Sequence, residues 1–275
     1  MLDPDDFTLQ AIDGGFTRRL PERWCFGDRA FGGYTAALAL GALLTGSVHP
    51  VAASLAVTFL EAGVVGPVEI EVEPLRTGRT AAAARATVRQ DGRAILLATA
   101  WLADGWAAPA AVAVEETSEG PGPDGAEPVD WLTHEWPALL FAERAGVDYP
   151  TSWAGFARGR PEISLWARML APRDLGRDPL PFAQMADVLH LDAHLFDAPG
   201  QVTGWTDTDL LSLDLSIAWR PGAHLVPSTE WRLLRSRGSV ADGGVTSVGS
   251  VLGPDRTLLA TATSQGLLRR RPSPH

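Results

Sequence analysis

The chain has 275 residues, 45% hydrophobic and 20% charged, enough for one large domain or two of ordinary size around a substantial core. Its formal net charge is -10 and all 23 basic residues are Arg; such an acidic balance disfavours nucleic acid and anionic membranes, so an anionic substrate has to meet a local Arg cluster. The single cysteine, Cys25, precludes an intrachain disulfide. The acidic start Met1-Leu2-Asp3-Pro4-Asp5-Asp6 lacks the apolar region of a signal peptide, and no apolar run reaches the roughly 18 residues of a membrane span. A cytoplasmic protein is expected.

Residues 30–44 open with Ala30-Phe31-Gly32-Gly33-Tyr34, continue as an Ala/Leu-rich run and close at Thr45-Gly46. They predict a helix, and its apolar circumference predicts that it is buried. Strand-like segments follow at 54–60, 67–73, 80–90 and 93–101. The second alternates Val68, Ile70 and Val72 with Glu69, Glu71 and Glu73, as a half-buried strand does. Asp91-Gly92 between the last two is a hairpin signal. Cys25, between Trp24 and Phe26, reads as buried filler rather than a nucleophile.

From 105 to 160, Ala, Pro, Gly and Glu dominate, as in Glu119-Gly120-Pro121-Gly122-Pro123, and predict a linker. Trp131, Trp136, Phe141 and Trp153 in its second half predict that it packs down. The earlier order then recurs: a strand at 163–170, a helix at 181–196 introduced by Asp178, Pro179 and Pro181, and strands at 211–219, 227–236, 244–252 and 258–268.

The two halves match each other. Ser54-Leu55-Ala56-Val57-Thr58 aligns with Ser212-Leu213-Asp214-Leu215-Ser216, Leu75-Arg76-Thr77-Gly78 with Leu234-Arg235-Ser236-Arg237-Gly238, and Leu96-Leu97-Ala98-Thr99-Ala100 with Leu258-Leu259-Ala260-Thr261-Ala262. Three matches in order predict a duplicated helix-and-meander unit: a first module at 1–104, a linker at 105–160 and a second module at 161–275. Two such units hide their open edges by joining into one sheet, which leaves a groove between modules for a ligand. The halves differ in chemistry. The first helix begins with Gly32-Gly33, whose amides suit an oxyanion, whereas the second carries Asp187.

Phe31-Gly32-Gly33, Asp187 within Gln184-Met185-Ala186-Asp187-Val188-Leu189, Ser212-Leu213-Asp214-Leu215-Ser216, and Ala260-Thr261-Ala262-Thr263-Ser264-Gln265-Gly266-Leu267-Leu268-Arg269 together resemble the acyl-CoA thioesterase II family over about residues 24–102 and 163–270. The resemblance implies an α+β double hotdog: two fused helix-on-antiparallel-sheet modules forming one continuous sheet. It implies acyl-CoA hydrolysis without a cofactor. It also implies a water held by an Asp, a Thr or Ser hydroxyl and a Gln; by position these are Asp187, Ser212 and the Ser264-Gln265 pair. The family's Gln falls where this chain has Ser264, and Gln265 follows it. A one-residue shift on a strand turns a side chain to the other face, so either a bulge returns Gln265 to the site or Ser264 takes its role. Asp187 then acts as general base or orients the water, and the Gly33 amide receives the oxyanion.

His190 and His194 share a helical stripe with Asp187. No third ligand accompanies them, so no metal site is expected; His190 is read as lining the acyl pocket or tuning Asp187. No Gly-x-Ser-x-Gly elbow or phosphate loop occurs. Two other functions fit such a fold: an enoyl-CoA hydratase using an Asp/His pair, and a non-catalytic acyl-CoA binder. Arg235, Arg237 and Arg269-Arg270-Arg271 are candidate partners for CoA phosphates, and a homodimer is expected by analogy.

Overall fold

The computed structural model describes residues 7–26, 28–104, 122–128, 142–148, 162–169, 208–227, 230–241 and 243–270. The expected helix at 181–196, with Asp187, His190 and His194, lies outside them.

The chain begins with strands β1 (Gln10–Ile12) and β2 (Gly15–Leu20), a 3₁₀ turn at Glu22–Trp24, and the two-residue strands β3 (Cys25–Phe26) and β4 (Arg29–Ala30). Helix α1 (Gly32–Thr45) follows, then β5 (Val51–Phe59), β6 (Gly66–Thr77), β7 (Ala81–Gln90) and β8 (Arg93–Ala103). Further on come β9 (Glu127–Pro128), β10 (Ala142–Asp148), β11 (Glu162–Met169), β12 (Thr208–Trp219), β13 (Arg232–Ala241), β14 (Gly244–Leu252) and β15 (Leu258–Arg270). All but β3 and β4 join one antiparallel sheet in the order β1-β2-β6-β7-β8-β5-β12-β15-β14-β13-β11-β10-β9. Strands β1, β2, β9 and β10 were not foreseen. Of these, β9 and β10 fall in the segment read as linker and extend the sheet beyond β11.

Helix α1 carries no acid in its first turn and no base in its last, and it is buried from Gly33 to Leu44 except at Gly41. It lies over β5 to β8. The strands beneath it present small and aliphatic side chains to it: Ala84, Ala86 and Val88 from β7, and Leu96, Ala98, Ala100 and Leu102 from β8. Alanine at the contact lets helix and sheet approach closely, as dense interior packing requires. The alternation foreseen for β6 holds: Val68 and Ile70 are buried while Glu69, Glu71 and Glu73 face solvent. Asp91 and Gly92 both have positive φ (50° and 78°), as a two-residue hairpin between β7 and β8 demands.

The halves meet at β5 and β12, which pair antiparallel with Ala56 opposite Ser216. Leu55 and Val57 lie against Ile217 and Leu215, so one core runs under the seam. Each seam strand has a bulge at an equivalent place. In β5 it falls between Ala52 (opposite Leu102) and Ser54 (opposite Trp101); in β12, between Ser212 (opposite Gly266) and Asp214 (opposite Gln265). Ala52 is therefore equivalent to Ser212, and Ala100 to Ser264. The duplication stands, but both pentapeptide matches read from sequence are two residues out of register. Beyond the bulges an even shift keeps each residue on its face, as with Val57 and Leu215, which is why the patterns still agreed. The third match is displaced by four: beyond a bulge in β6 that has no counterpart in β13, Arg76 lies opposite Ala83, the counterpart of Thr246, and is equivalent to Ser239 rather than Arg235.

Candidate active site

The sheet face that α1 covers is here called the inner face. Directly opposed residues of an antiparallel pair point to the same face. Opposite Ser212 stands Gly266, whose neighbours along β15, Ala262 and Ser264, point inward with it and are buried. Ser212 is thus an inner-face residue. Beyond the extra residue Leu213 the alternation changes phase, so Asp214 points outward while Leu215 returns inward, opposite Ser264. The bulge is what sets Ser212 on the face of Leu215 and Ser264.

Ser264 is 2% exposed, and its hydroxyl lies 2.8 Å from that of Ser247, itself 2% exposed, on β14. Gln265 is exposed on the outer face. Its backbone N–H donates to Asp214 Oδ1 at 3.1 Å. The structure therefore brings Ser212 and Ser264 to one face and puts the Gln265 side chain on the other. The bulge that occurs is in β12, not beside Gln265 in β15, so it does not return Gln265 to Ser212's side. Ser247 was not singled out from the sequence. The available signal was a hydroxyl at an inner position of β14, between Val245 and Val251, both buried.

Gly32 and Gly33 form the first turn of α1. The residue before them, Phe31, is extended and gives no side-chain cap, while its own N–H donates to the Trp24 carbonyl at 2.8 Å. The first backbone bond into the helix runs from Thr35 N–H to the Phe31 carbonyl, so earlier amides have no carbonyl one turn back. Trp24 stacks on Tyr34 at 4.9 Å, and Phe7 meets both rings edge-on. This aromatic cluster, with Trp24 and Tyr34 fully buried, holds the helix start in place.

Two other reactive groups are accounted for structurally. Cys25 is half-buried with its thiol facing the Pro21 carbonyl, and burial, then Glu22 and Asp28, push its pKa up. A raised thiol pKa leaves little thiolate, which makes Cys25 a poor nucleophile. His49 is buried, with Nδ1 2.6 Å from Asp104 Oδ1 and Nε2 3.1 Å from the Gly78 carbonyl. This Asp–His contact ties together three connections and has no ring nitrogen to spare.

A cavity of about 1230 Å³ crosses the seam on the outer face, with Ala56, Thr99, Trp101, Ser216, Arg235 and Arg237 among its lining. Arg235 and Arg237 therefore lie on the face opposite Ser212 and Ser264. Among the described residues no cluster of His, Cys, Asp or Glu is arranged to hold a metal, and no helix is long and apolar enough to cross a membrane.

A sequence profile of the acyl-CoA thioesterase N-terminal domain matches residues 20–103. No protein of curated function matches the sequence. Several solved structures share the fold over nearly the whole chain. The tesB protein of Mycobacterium avium subsp. paratuberculosis aligns with a TM-score of 0.76 at 19% identity, covering 96% of both chains. The acyl-CoA thioesterase II TesB2 of Mycobacterium marinum gives 0.71 at 19%, over 98% of this chain and 99% of that one. A hot dog protein of unknown function from Alicyclobacillus acidocaldarius gives 0.78 at 20%, over 99% and 100%. At these identities the likeness establishes the fold, which is a double hotdog.

Proposed function

From an acyl-CoA thioesterase N-terminal domain at residues 20–103 and a double hotdog over the whole chain, we propose that this thioester hydrolase cleaves acyl-CoA to a free acid and CoA. Asp187 takes a proton from a water held by the Ser212 and Ser264 hydroxyls, and the water oxygen attacks the thioester carbonyl. The Gly33 amide at the start of α1 receives the developing oxyanion. Collapse of the tetrahedral intermediate breaks the C–S bond and expels the CoA thiolate, a good leaving group that needs no strong acid. A carboxylate at its reference pKa of about 3.9 is a weak base, so Asp187 requires partial burial to act. The observation that carries this assignment is the convergence of Ser212 and Ser264 on one face, which favours Ser264 over Gln265 as the third water-holding group. His190 lines the acyl pocket in this reading. A cytoplasmic homodimer working in lipid metabolism completes it; the location is supported by the acidic balance and the lone cysteine.

Thiol release followed with a thiol-reactive dye tests the reading, across acyl-CoAs from acetyl to palmitoyl plus an aromatic one. Asp187→Asn is expected to lower kcat at least about a hundredfold, the usual contribution of a general base. Gln265→Ala is expected to leave kcat unchanged. Turnover indifferent to Asp187→Asn would remove Asp187 from the mechanism. Acyl-CoA bound without turnover by the wild type would make the protein a binder instead.

A further inference from the structure

We propose that Ser247 is a positioning residue whose hydroxyl holds the Ser264 hydroxyl toward the hydrolytic water. This inference rests on the hydrolase reading above. Its basis is the buried contact of 2.8 Å between the two hydroxyls on the inner face that also carries Ser212.

The duplicated fold supplies an internal control. Ser247 and Ser264 oppose each other across β14 and β15 as Ala84 and Ala100 oppose each other across β7 and β8. With Ala52 standing where the second module has Ser212, all three hydroxyl positions are alanine in the first module, and all three alanines are buried. The sheet therefore folds and packs with a methyl group at each place. The hydroxyls occur together, on one face, in the second module only, so packing does not account for them. A buried hydroxyl also costs free energy unless it is hydrogen-bonded, which is an added reason for alanine where no polar task exists.

The chemistry explains why a pair is needed. A glutamine amide offers both donors and acceptors on a rigid plane, whereas one serine hydroxyl has a single donor and rotates freely. The bond between Ser247 and Ser264 uses one donor and one acceptor and removes that rotation. When Ser247 donates, the Ser264 O–H is left to donate to the water; when Ser264 donates, its oxygen is left to accept from the water. In both arrangements the direction of the remaining group is set by Ser247. Two serines on adjacent strands thus take the part of the one glutamine in the family pattern, and the exposed Gln265 is left without one.

The test measures kcat and KM for thiol release by the full chain carrying Ser247→Ala, Ser264→Ala, both together, and Ser247→Thr. Both alanine variants reproduce side chains that the first module already carries, so they are expected to fold. Ser247→Ala should lower kcat about tenfold with KM within about twofold, a loss near that of one oriented hydrogen bond. Ser247→Thr, which restores the hydroxyl, should recover most of it. The double variant should be no slower than Ser264→Ala alone, since Ser247 acts through Ser264. An unchanged kcat in Ser247→Ala, multiplying losses in the double variant, or failure of threonine to restore the rate would each overturn the role of Ser247 and leave the hydrolase reading standing. A wild type that releases thiol from no acyl-CoA in the panel would overturn the hydrolase reading, and this inference with it.

Discussion

A buried imidazole with an acceptor at each nitrogen satisfies both only as the cation, because the neutral ring has a single N–H to give. At His49 the hydrogen bond to Asp104 is the main cause that raises the pKa above the ordinary value, opposed by burial and helped by the Gly78 carbonyl. A folded-state pKa above the unfolded one means the contact stabilises fully below about pH 6.5 and fades as pH rises through the raised value. The gap in Tm between wild type and His49→Gln is therefore expected to be widest near pH 6 and to close toward pH 9, as thermal melts across that range can check. A gap that is flat or grows with pH would mean the ring is held neutral. The same scale separates Ser264 from Gln265 by face. Sequence position alone left both open, because which face a strand residue uses depends on bulges formed with its neighbours. The registers put Ser264 inside and Gln265 outside.

Elements missed in the sequence were those with short or weakly patterned runs. Strand β2 pairs with β6 through Gly15 opposite Glu71. A Cβ at Gly15 would overlap the Ile70 carbonyl oxygen, so this strand approaches its partner only with glycine there. Gly15→Ala is expected to loosen β1 and β2, at a cost of about 1–3 kcal/mol and a Tm drop of about 2–4 °C per kcal/mol. Amide exchange should accelerate in β2 while β7 and β8 stay protected; unaltered β2 protection would refute the point. Gln90 closes β7, a strand that was foreseen, but the task of its side chain was not. Buried at 7% exposure, its amide accepts from Val64 N–H at 2.8 Å and donates to the Val64 carbonyl at 2.9 Å. It stands in for a strand partner and fastens the connection between β5 and β6, a role visible only with both segments in place.

The molecule as a whole depends on the seam between β5 and β12. Their pairing supplies each module with the edge partner that a lone meander lacks, and Leu55, Val57, Leu215 and Ile217 join the two cores there. The pairing is nearly two-fold, with Ala56 opposite its own equivalent, Ser216. A fragment of residues 1–104 exposes β5, and a second copy of β5 offers a similar set of side chains in the same antiparallel sense. The fragment is expected to dimerise through β5, which light scattering after size exclusion would show. A soluble monomer at micromolar concentration would mean that β5 needs β12 in particular.

The alternation of Val68, Ile70 and Val72 with glutamates, the Asp91-Gly92 turn and the Ala/Leu run of α1 were all readable along the chain, because each follows from local periodicity or backbone preference. So was the duplication, since away from the bulges an even shift of register does not disturb a pattern of period two. Tertiary structure alone decided the bulge at Leu213, the true equivalence of Ala52 with Ser212 and Ala100 with Ser264, and the contact of Ser247 with Ser264. These depend on hydrogen-bond register between strands far apart in sequence, and a single inserted residue there reverses which side chains face the site.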